Sequence, residues 1–184
     1  MQYKLTTPCT AEDLSVLRAG DTVLLSGIVY TARDAAHKRM CEALDAGQTL
    51  PFPLDGSAIY YVGPTPEKPG QIIGSAGPTT SGRMDAYSPR LLDLGNKMMI
   101  GKGKRDAAVK EAVVRNGAVY VAALGGAGAL MCQCVQSLKV IAWPDLGCEA
   151  VRRLEVKDMP LTVILDSHGG DLYESGPASY LESL

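Results

Sequence analysis

Gly77-Pro78-Thr79-Thr80-Ser81-Gly82-Arg83-Met84-Asp85 gathers three hydroxyl residues, two glycines and an arginine into one short run. A buried helix or strand has little use for that mixture. A loop that aims backbone N–H groups, hydroxyls and a guanidinium at one small anion does. Apolar Ile72 and Ile73 lead in, so Gln71 to Ser75 reads as a strand. Helix-compatible residues lead out, so Ser81 to Leu94 reads as mostly helix, interrupted or bent near Pro89. Thr80 or Ser81 then caps that helix, where unpaired N–H groups and the dipole favour negative charge. Arg83 adds a planar fork that matches a carboxylate or phosphate in two-point contact. An ordinary capped turn with a surface arginine fits the same composition.

Working outward, Thr10-Ala11-Glu12-Asp13 reads as a helix start with Thr10 as cap, and Gly20 as its end. Thr22 to Tyr30 reads as a strand or hairpin, Asp34 to Ala46 as a helix closed by Gly47, and Ala58 to Val62 as a short strand. Pro64 to Gly70, with three prolines, is a loop. Beyond the run, Lys97 to Ile100 is a strand, Gly101 to Lys104 a glycine-lysine loop and Asp106 to Arg115 a helix. Ala118 to Ala123 is a strand, and Gly125 to Gln136 starts glycine-rich and becomes helical. Leu138 to Trp143, Ala150 to Val156 and Leu161 to Asp166 read as separate strands. The polar tail from Ser167 reads as partly disordered. The alternation through the middle argues for an α/β class rather than an all-β barrel.

Composition narrows the function classes. The chain has 184 residues, enough for one domain with a core, and a formal net charge of −2, which speaks against nucleic-acid affinity. The start is unlike a signal peptide, and no apolar run approaches the ~20 residues of a membrane helix, so a cytoplasmic location with no membrane association is expected. Five cysteines (9, 41, 132, 134 and 148) show no zinc-like pairing, so reduced thiols are the default. Cys132 and Cys134, two apart, project to different sides of a helix and read as core or interface residues rather than ligands.

Arg33, Arg83 and Lys102 all lie where a strand hands over to a loop or helix, the edge that commonly carries ligands in layered α/β folds. Two arginines could each take one carboxylate of a dicarboxylate and fix the carbon skeleton between them. Solvated surface charges are the bland alternative.

The Gly77–Asp85 run resembles the GPTT-[AS]-G-R-M-D signature of class I iron–sulfur fumarate hydratases, in their C-terminal domain or separate β subunit. Three ordered segments agree. Arg33-Asp34-Ala35-Ala36-His37 is similar to the family's R-D-x-x-H, Tyr60-Tyr61-Val62-Gly63-Pro64 to its Y-Y-x-G-P, and Gly101-Lys102-Gly103-Lys104-Arg105 to its A-K-G-N-R loop. Gly125–Ala129 and Pro144–Ala150 extend the resemblance to roughly residues 3 to 170. The β subunits of tartrate dehydratases share the layout but usually lack the glycine before the arginine and carry Glu after the Met, so Gly82 and Asp85 lean towards fumarase.

The resemblance implies a swivelling β/β/α domain. It implies a hydro-lyase that hydrates fumarate to L-malate in the tricarboxylic acid cycle, within a hetero-oligomer. A [4Fe-4S] cluster is carried by an α subunit and none by this chain, which could form a homodimer when isolated. It gives Thr79 the base at malate C3, Arg83 and Arg33 the substrate carboxylates, and Lys102 the active-site lysine. Gly101 stands where the family often has Ala, and Lys104 where it often has Asn. Asp34 and His37, three residues apart, could tune an acid/base group or, as the favoured reading, hold the Arg33 loop in place, and Asp85 is a candidate to orient Arg83. A threonine hydroxyl is a poor proton acceptor at neutral pH, so Thr79 needs a neighbour, either Lys102 or a partner carboxylate. Alternatively it only binds substrate or caps a helix. A tartrate or other hydroxy-diacid dehydratase is the runner-up, and a non-catalytic anion-binding module is the reading from another class.

Overall fold

A computed structural model describes residues 1–124 and 126–182. Seven strands and six helices follow in order: β1 Gln2–Thr6, α1 Ala11–Ser15, β2 Thr22–Thr31, α2 Asp34–Asp45, β3 Ala58–Tyr60, α3 Ser88–Asp93, β4 Met98–Gly101, α4 Ala107–Arg115, β5 Val119–Ala122, α5 Gly128–Gln133, β6 Val135–Ala142, β7 Val151–Leu165 and α6 Leu172–Glu182. Strands β1 to β5 run parallel to their neighbours, and β7 runs antiparallel to β2, β5 and β6. Because β7 bonds both β5 and β2, the strands β2-β3-β4-β5-β7 close into a ring, with β1 and β6 as additions at its margin. The expected α/β architecture is therefore present, with its sheet closed.

Strand parity separates two apolar layers. Val23, Leu25 and Val29 of β2, Tyr60 of β3, Ile100 of β4, Val121 of β5 and Leu161 of β7 share one core. The alternate residues Ile59, Tyr61, Met99 and Tyr120 meet Met40 of α2, Leu91 of α3 and Val113 of α4 in a second core. Strands β3 and β4 are buried at every position, as parallel strands covered on both faces are. Each fully buried large side chain contributes roughly 1.5–3 kcal/mol.

Local signals in the sequence account for the helix starts. Thr10 and Asp13 form a reciprocal capping box on α1, and Asp106 caps α4 by accepting the Val109 N–H. Pro89 sits in the first turn of α3, where a missing N–H costs nothing, so the break in the Ser81–Leu94 segment falls before it, at Asp85–Tyr87.

Three expectations are revised, and one strand, at the N-terminus, has no counterpart in the sequence reading. Gln71 to Ser75 is not a strand. Thr65 and Ser75 close a loop through Thr65 N–H to the Ser75 carbonyl (3.1 Å) and Ser75 N–H to Thr65 Oγ1 (2.8 Å). Gly74 backs onto the Thr65 and Pro66 carbonyls, where no Cβ fits, so the chain folds on itself instead of joining the sheet. The two strands read after Ala150 are one, β7, which bends through Asp158 at φ 48°. The N-terminal residues form β1, paired in register with Thr22–Ser26. The tail forms α6, pinned to α4 by Lys110 on Asp171 (2.6 Å) and Glu174 (2.5 Å).

Candidate active site

The C-terminal ends of β2, β3 and β4 are laced to the Gly77–Asp85 run by backbone hydrogen bonds. Ala32 N–H donates to the Tyr60 carbonyl, Tyr61 N–H to Ile100, Thr79 N–H to Tyr61 and Ser81 N–H to Lys102, at 2.8–3.2 Å. Tyr60, whose hydroxyl burial keeps protonated, donates to the Ala76 carbonyl at 2.5 Å and anchors the run from below. Arg33, Asp34, Thr79, Arg83 and Lys102 thus share one edge of the ring. The open cavity of about 420 Å³ beside Pro64, Ile73, Val140 and Cys148 is lined by none of them.

Arg33 precedes α2. Its Nη2 lies 3.4 Å from Glu149 Oε1 and 3.9 Å from Asp34 Oδ2, while Arg83 Nη1 lies 3.6 Å from the same Asp34 oxygen. One carboxylate therefore spans the two arginines, loosely. Arg33 Nε and Asp34 Oδ1 are buried with no hydrogen-bond partner. Buried polar atoms are normally satisfied, so this unmade donor of Arg33 and acceptor of Asp34 set the spot apart from the rest of the edge. The Arg33 side chain is 19% exposed and that of Arg83 56%, so the first is fixed and the second can adjust. Gly63 lies where a Cβ would meet Arg33 Nη1 at 2.8 Å, which explains a glycine there.

Thr79 is half-buried, and its hydroxyl makes no hydrogen bond among the described residues. Neither candidate cap acts as one. Thr80 holds the capping position of the short turn Ser81–Met84 but makes no side-chain bond to it, and Ser81 turns inward. Its Oγ accepts the Lys102 N–H at 3.0 Å and lies 2.9 Å from the Tyr120 hydroxyl, itself 2.9 Å from the Gly103 carbonyl. Gly101 leaves room for this serine, since a Cβ there would collide with Ser81 Oγ. A parallel bridge pairs Thr80 with Lys102, so the lysine is exposed beside the hydroxyl run. Lys104 lies past Gly103, whose φ of 85° turns the chain.

Asp85 does not orient Arg83. Its Oδ1 accepts from Arg105 Nε at 2.6 Å and its Oδ2 from the Asp106 N–H at 2.8 Å. Arg105 is wholly buried, bonded to Ser88 Oγ (2.8 Å) and stacked 5.4 and 5.0 Å from the Tyr61 and Tyr120 ring centres. The pair clamps the hydroxyl run to the lysine loop. Sequence reasoning missed Arg105, Tyr120 and Glu149, and read Ser81 as a helix cap. Arg105 and Glu149 stand inside segments singled out by resemblance, but nothing in the sequence distinguishes a buried arginine from an exposed one.

His37 is structural. Its Nδ1 is 2.9 Å from the Arg33 carbonyl, its ring meets Tyr61 edge-on at 5.3 Å, and it is buried. It has no bond to Asp34 among the described residues. Burial pushes its pKa down to about 4, against the Arg33 carbonyl, which raises it. The folded state therefore keeps His37 neutral, while the unfolded chain protonates near 6.5. This stability is complete above pH 6.5 and is lost as pH falls towards 4, by about 3 kcal/mol. Denaturant unfolding across that window should give a steep loss for the native chain and a shallower one for His37→Asn. Parallel curves would refute the assignment.

The Fumarase C-terminus sequence profile matches residues 1–176. The chain belongs to the Fumarase C-terminus family. It is 38% identical over 152 residues to the class I, aerobic fumarate hydratase of Escherichia coli K12, covering 82% of this chain and 28% of that protein. It is 37% identical over 168 residues to fumarate hydratase 2 of Leishmania major, covering 88% and 29%. It is 39% identical over 181 residues to the putative L(+)-tartrate dehydratase subunit beta of Methanocaldococcus jannaschii, covering 95% and 93%. This Fumarase C-terminus chain thus spans under a third of the two fumarate hydratases and nearly all of the tartrate dehydratase subunit.

Among the described residues no three His, Cys, Asp or Glu side chains converge as metal ligands, and Cys132 and Cys134 bond separately to the Ala129 and Leu130 carbonyls. Gly125 of the glycine-rich run lies outside the described residues. No helix among the described residues is long and apolar enough to cross a membrane.

Proposed function

We propose that this chain is the β subunit of an iron–sulfur-dependent hydro-lyase that hydrates fumarate to L-malate in the cytoplasm, working with a cluster-bearing α subunit. The observation that carries the reading is the Arg33–Asp34–Arg83 arrangement: two guanidiniums about one loosely held carboxylate, with buried polar atoms unmade. A C4 dicarboxylate could offer each guanidinium a closer carboxylate than the long contact each makes to Asp34. The open edge on which these residues sit supports a site completed by a second polypeptide.

In this reading Arg33, braced by its neighbours, fixes one carboxylate and the more mobile Arg83 closes on the other. Fixing both ends sets the C2–C3 bond in register and removes several kcal/mol of orientational cost. The C3 proton of malate is weakly acidic, so its removal needs the adjacent carboxylate to accept charge, a task for a paired guanidinium. Thr79 takes that proton once its own hydroxyl proton has been drawn off by a neighbour, and the hydroxyl makes no competing hydrogen bond among the described residues. Lys102, next to Thr80 through the backbone bridge, relays the proton or holds the hydroxyl partly deprotonated. The [4Fe-4S] group belongs to the α subunit.

Gly82 and Asp85 favour fumarate. The near-complete length match to the Methanocaldococcus jannaschii subunit favours tartrate as the second reading. Co-expression with the cluster-bearing α subunit, anaerobic purification and parallel assay on fumarate, malate and L-tartrate separates them. Turnover of fumarate and malate above tartrate is expected. Preference for tartrate would replace the substrate, and inactivity on all three would refute the hydro-lyase reading.

A further inference from the structure

We infer that Glu149 is the positioning residue that holds Arg33 in its substrate-ready orientation, an inference that rests on the hydro-lyase reading above. Glu149 does two things at once. Its Oε2 accepts the Ala35 N–H at the start of α2 (3.0 Å), and its Oε1 faces Arg33 Nη2 at 3.4 Å. Asp34 competes for the same Nη2 from 3.9 Å, and Asp34 also reaches Arg83. Arg33 Nη2 is therefore shared between two carboxylates, with Glu149 the nearer. A guanidinium that turned fully onto Asp34 would close the Arg33–Asp34–Arg83 bridge and exclude a substrate carboxylate. Glu149 opposes that turn, and Gly63 lets the guanidinium lie against the backbone.

The turn that presents Glu149 is built for fixity. Trp143 precedes it in the left-handed region at φ 52°, a strained conformation for a bulky residue that persists only where its surroundings demand it. Arg39 grips Asp145 through two bonds of 2.9 and 2.6 Å, tying the turn to α2. Arg152 donates to the carbonyls of Gly147, Cys148 and Ala150 at 2.8–3.0 Å. Glu149 thus reaches Arg33 from a loop between β6 and β7 that Arg39 and Arg152 brace, and α2 is tied to the same loop. A simple helix cap would need only the Ala35 contact.

The test uses Glu149→Gln in the reconstituted complex, read by steady-state kinetics, thermal unfolding and the Nε–H resonance of Arg33, identified with Arg33→Lys. Glutamine keeps an oxygen for the Ala35 N–H but loses the charge. KM for malate should rise about tenfold with kcat within about threefold of native, since a ground-state grip is loosened. The melting temperature should move little, and the Arg33 resonance should shift or broaden. Glu149→Ala, which also removes the cap, should add a loss of thermal stability. A KM within twofold of native with an unchanged Arg33 resonance would overturn the inference, leaving Glu149 a cap. If the native complex turned over none of the three acids, the hydro-lyase reading would fall by itself. The Arg33 resonance alone would then judge whether Glu149 holds that side chain, and an unmoved signal would overturn it.

Discussion

Thr79→Val in the reconstituted complex should lower turnover by at least about 100-fold, the low end for loss of a proton-transfer group. Folding should be almost untouched. The backbone N–H of Thr79 bonds the Tyr61 carbonyl whatever the side chain, and the hydroxyl has no bond to lose among the described residues. Valine keeps the shape. A stability change within about 0.5 kcal/mol is therefore expected, as for a substitution that breaks no packing or bond. A helix-capping threonine would give the reverse, a loss of about 1 kcal/mol with turnover preserved. Exchange of the malate C3 proton with solvent deuterium isolates the proton step. Exchange that survives at the native rate in the valine variant would exclude Thr79 as base and transfer the role to Lys102 or the partner.

Asp85→Ala should cost about 3–5 kcal/mol of unfolding free energy, because it leaves a buried guanidinium without its counter-charge. Arg105 is fully enclosed between two tyrosine rings, and Ser88 Oγ and Met99 Sδ (3.3 Å) are its only other side-chain hydrogen-bond partners among the described residues. Neither neutralises a charge. The same change strips the acceptor from the Asp106 N–H. Removing both members of the pair with Asp85→Ala and Arg105→Met should recover part of the loss, since an apolar pair of similar volume is often as stable as a buried ion pair. Urea unfolding of the three variants decides it. A loss below 1 kcal/mol for Asp85→Ala alone would mean that the clamp between the hydroxyl run and the lysine loop is not what the contacts indicate.

Arg33, Thr79, Arg83 and Lys102 stand out in the sequence through the family resemblance and their place at strand ends, and the structure brings their segments to one edge. Helix starts were legible because Thr10 and Asp106 act locally. Ring closure was not, since it depends on β7 pairing with both β5 and β2, contacts far apart in the chain. Ile72 and Ile73 suggested a strand, yet Gly74 and the Thr65 clasp fold that segment into a loop. By sequence proximity Asp85 is a candidate partner of the neighbouring Arg83. Its true partner, Arg105, is brought in by the pairing of β3 and β4 beneath it.

The proposed hydro-lyase depends on Arg33 and Arg83 together gripping the two carboxylates of a C4 diacid. Malate kinetics of the reconstituted complex carrying Arg33→Lys or Arg83→Lys tests it most directly, because lysine keeps the charge and removes the planar fork. Each variant should lose about tenfold or more in kcat/KM, since a misplaced carboxylate misaligns the reacting carbons. Native kcat/KM in both lysine variants would contradict the account.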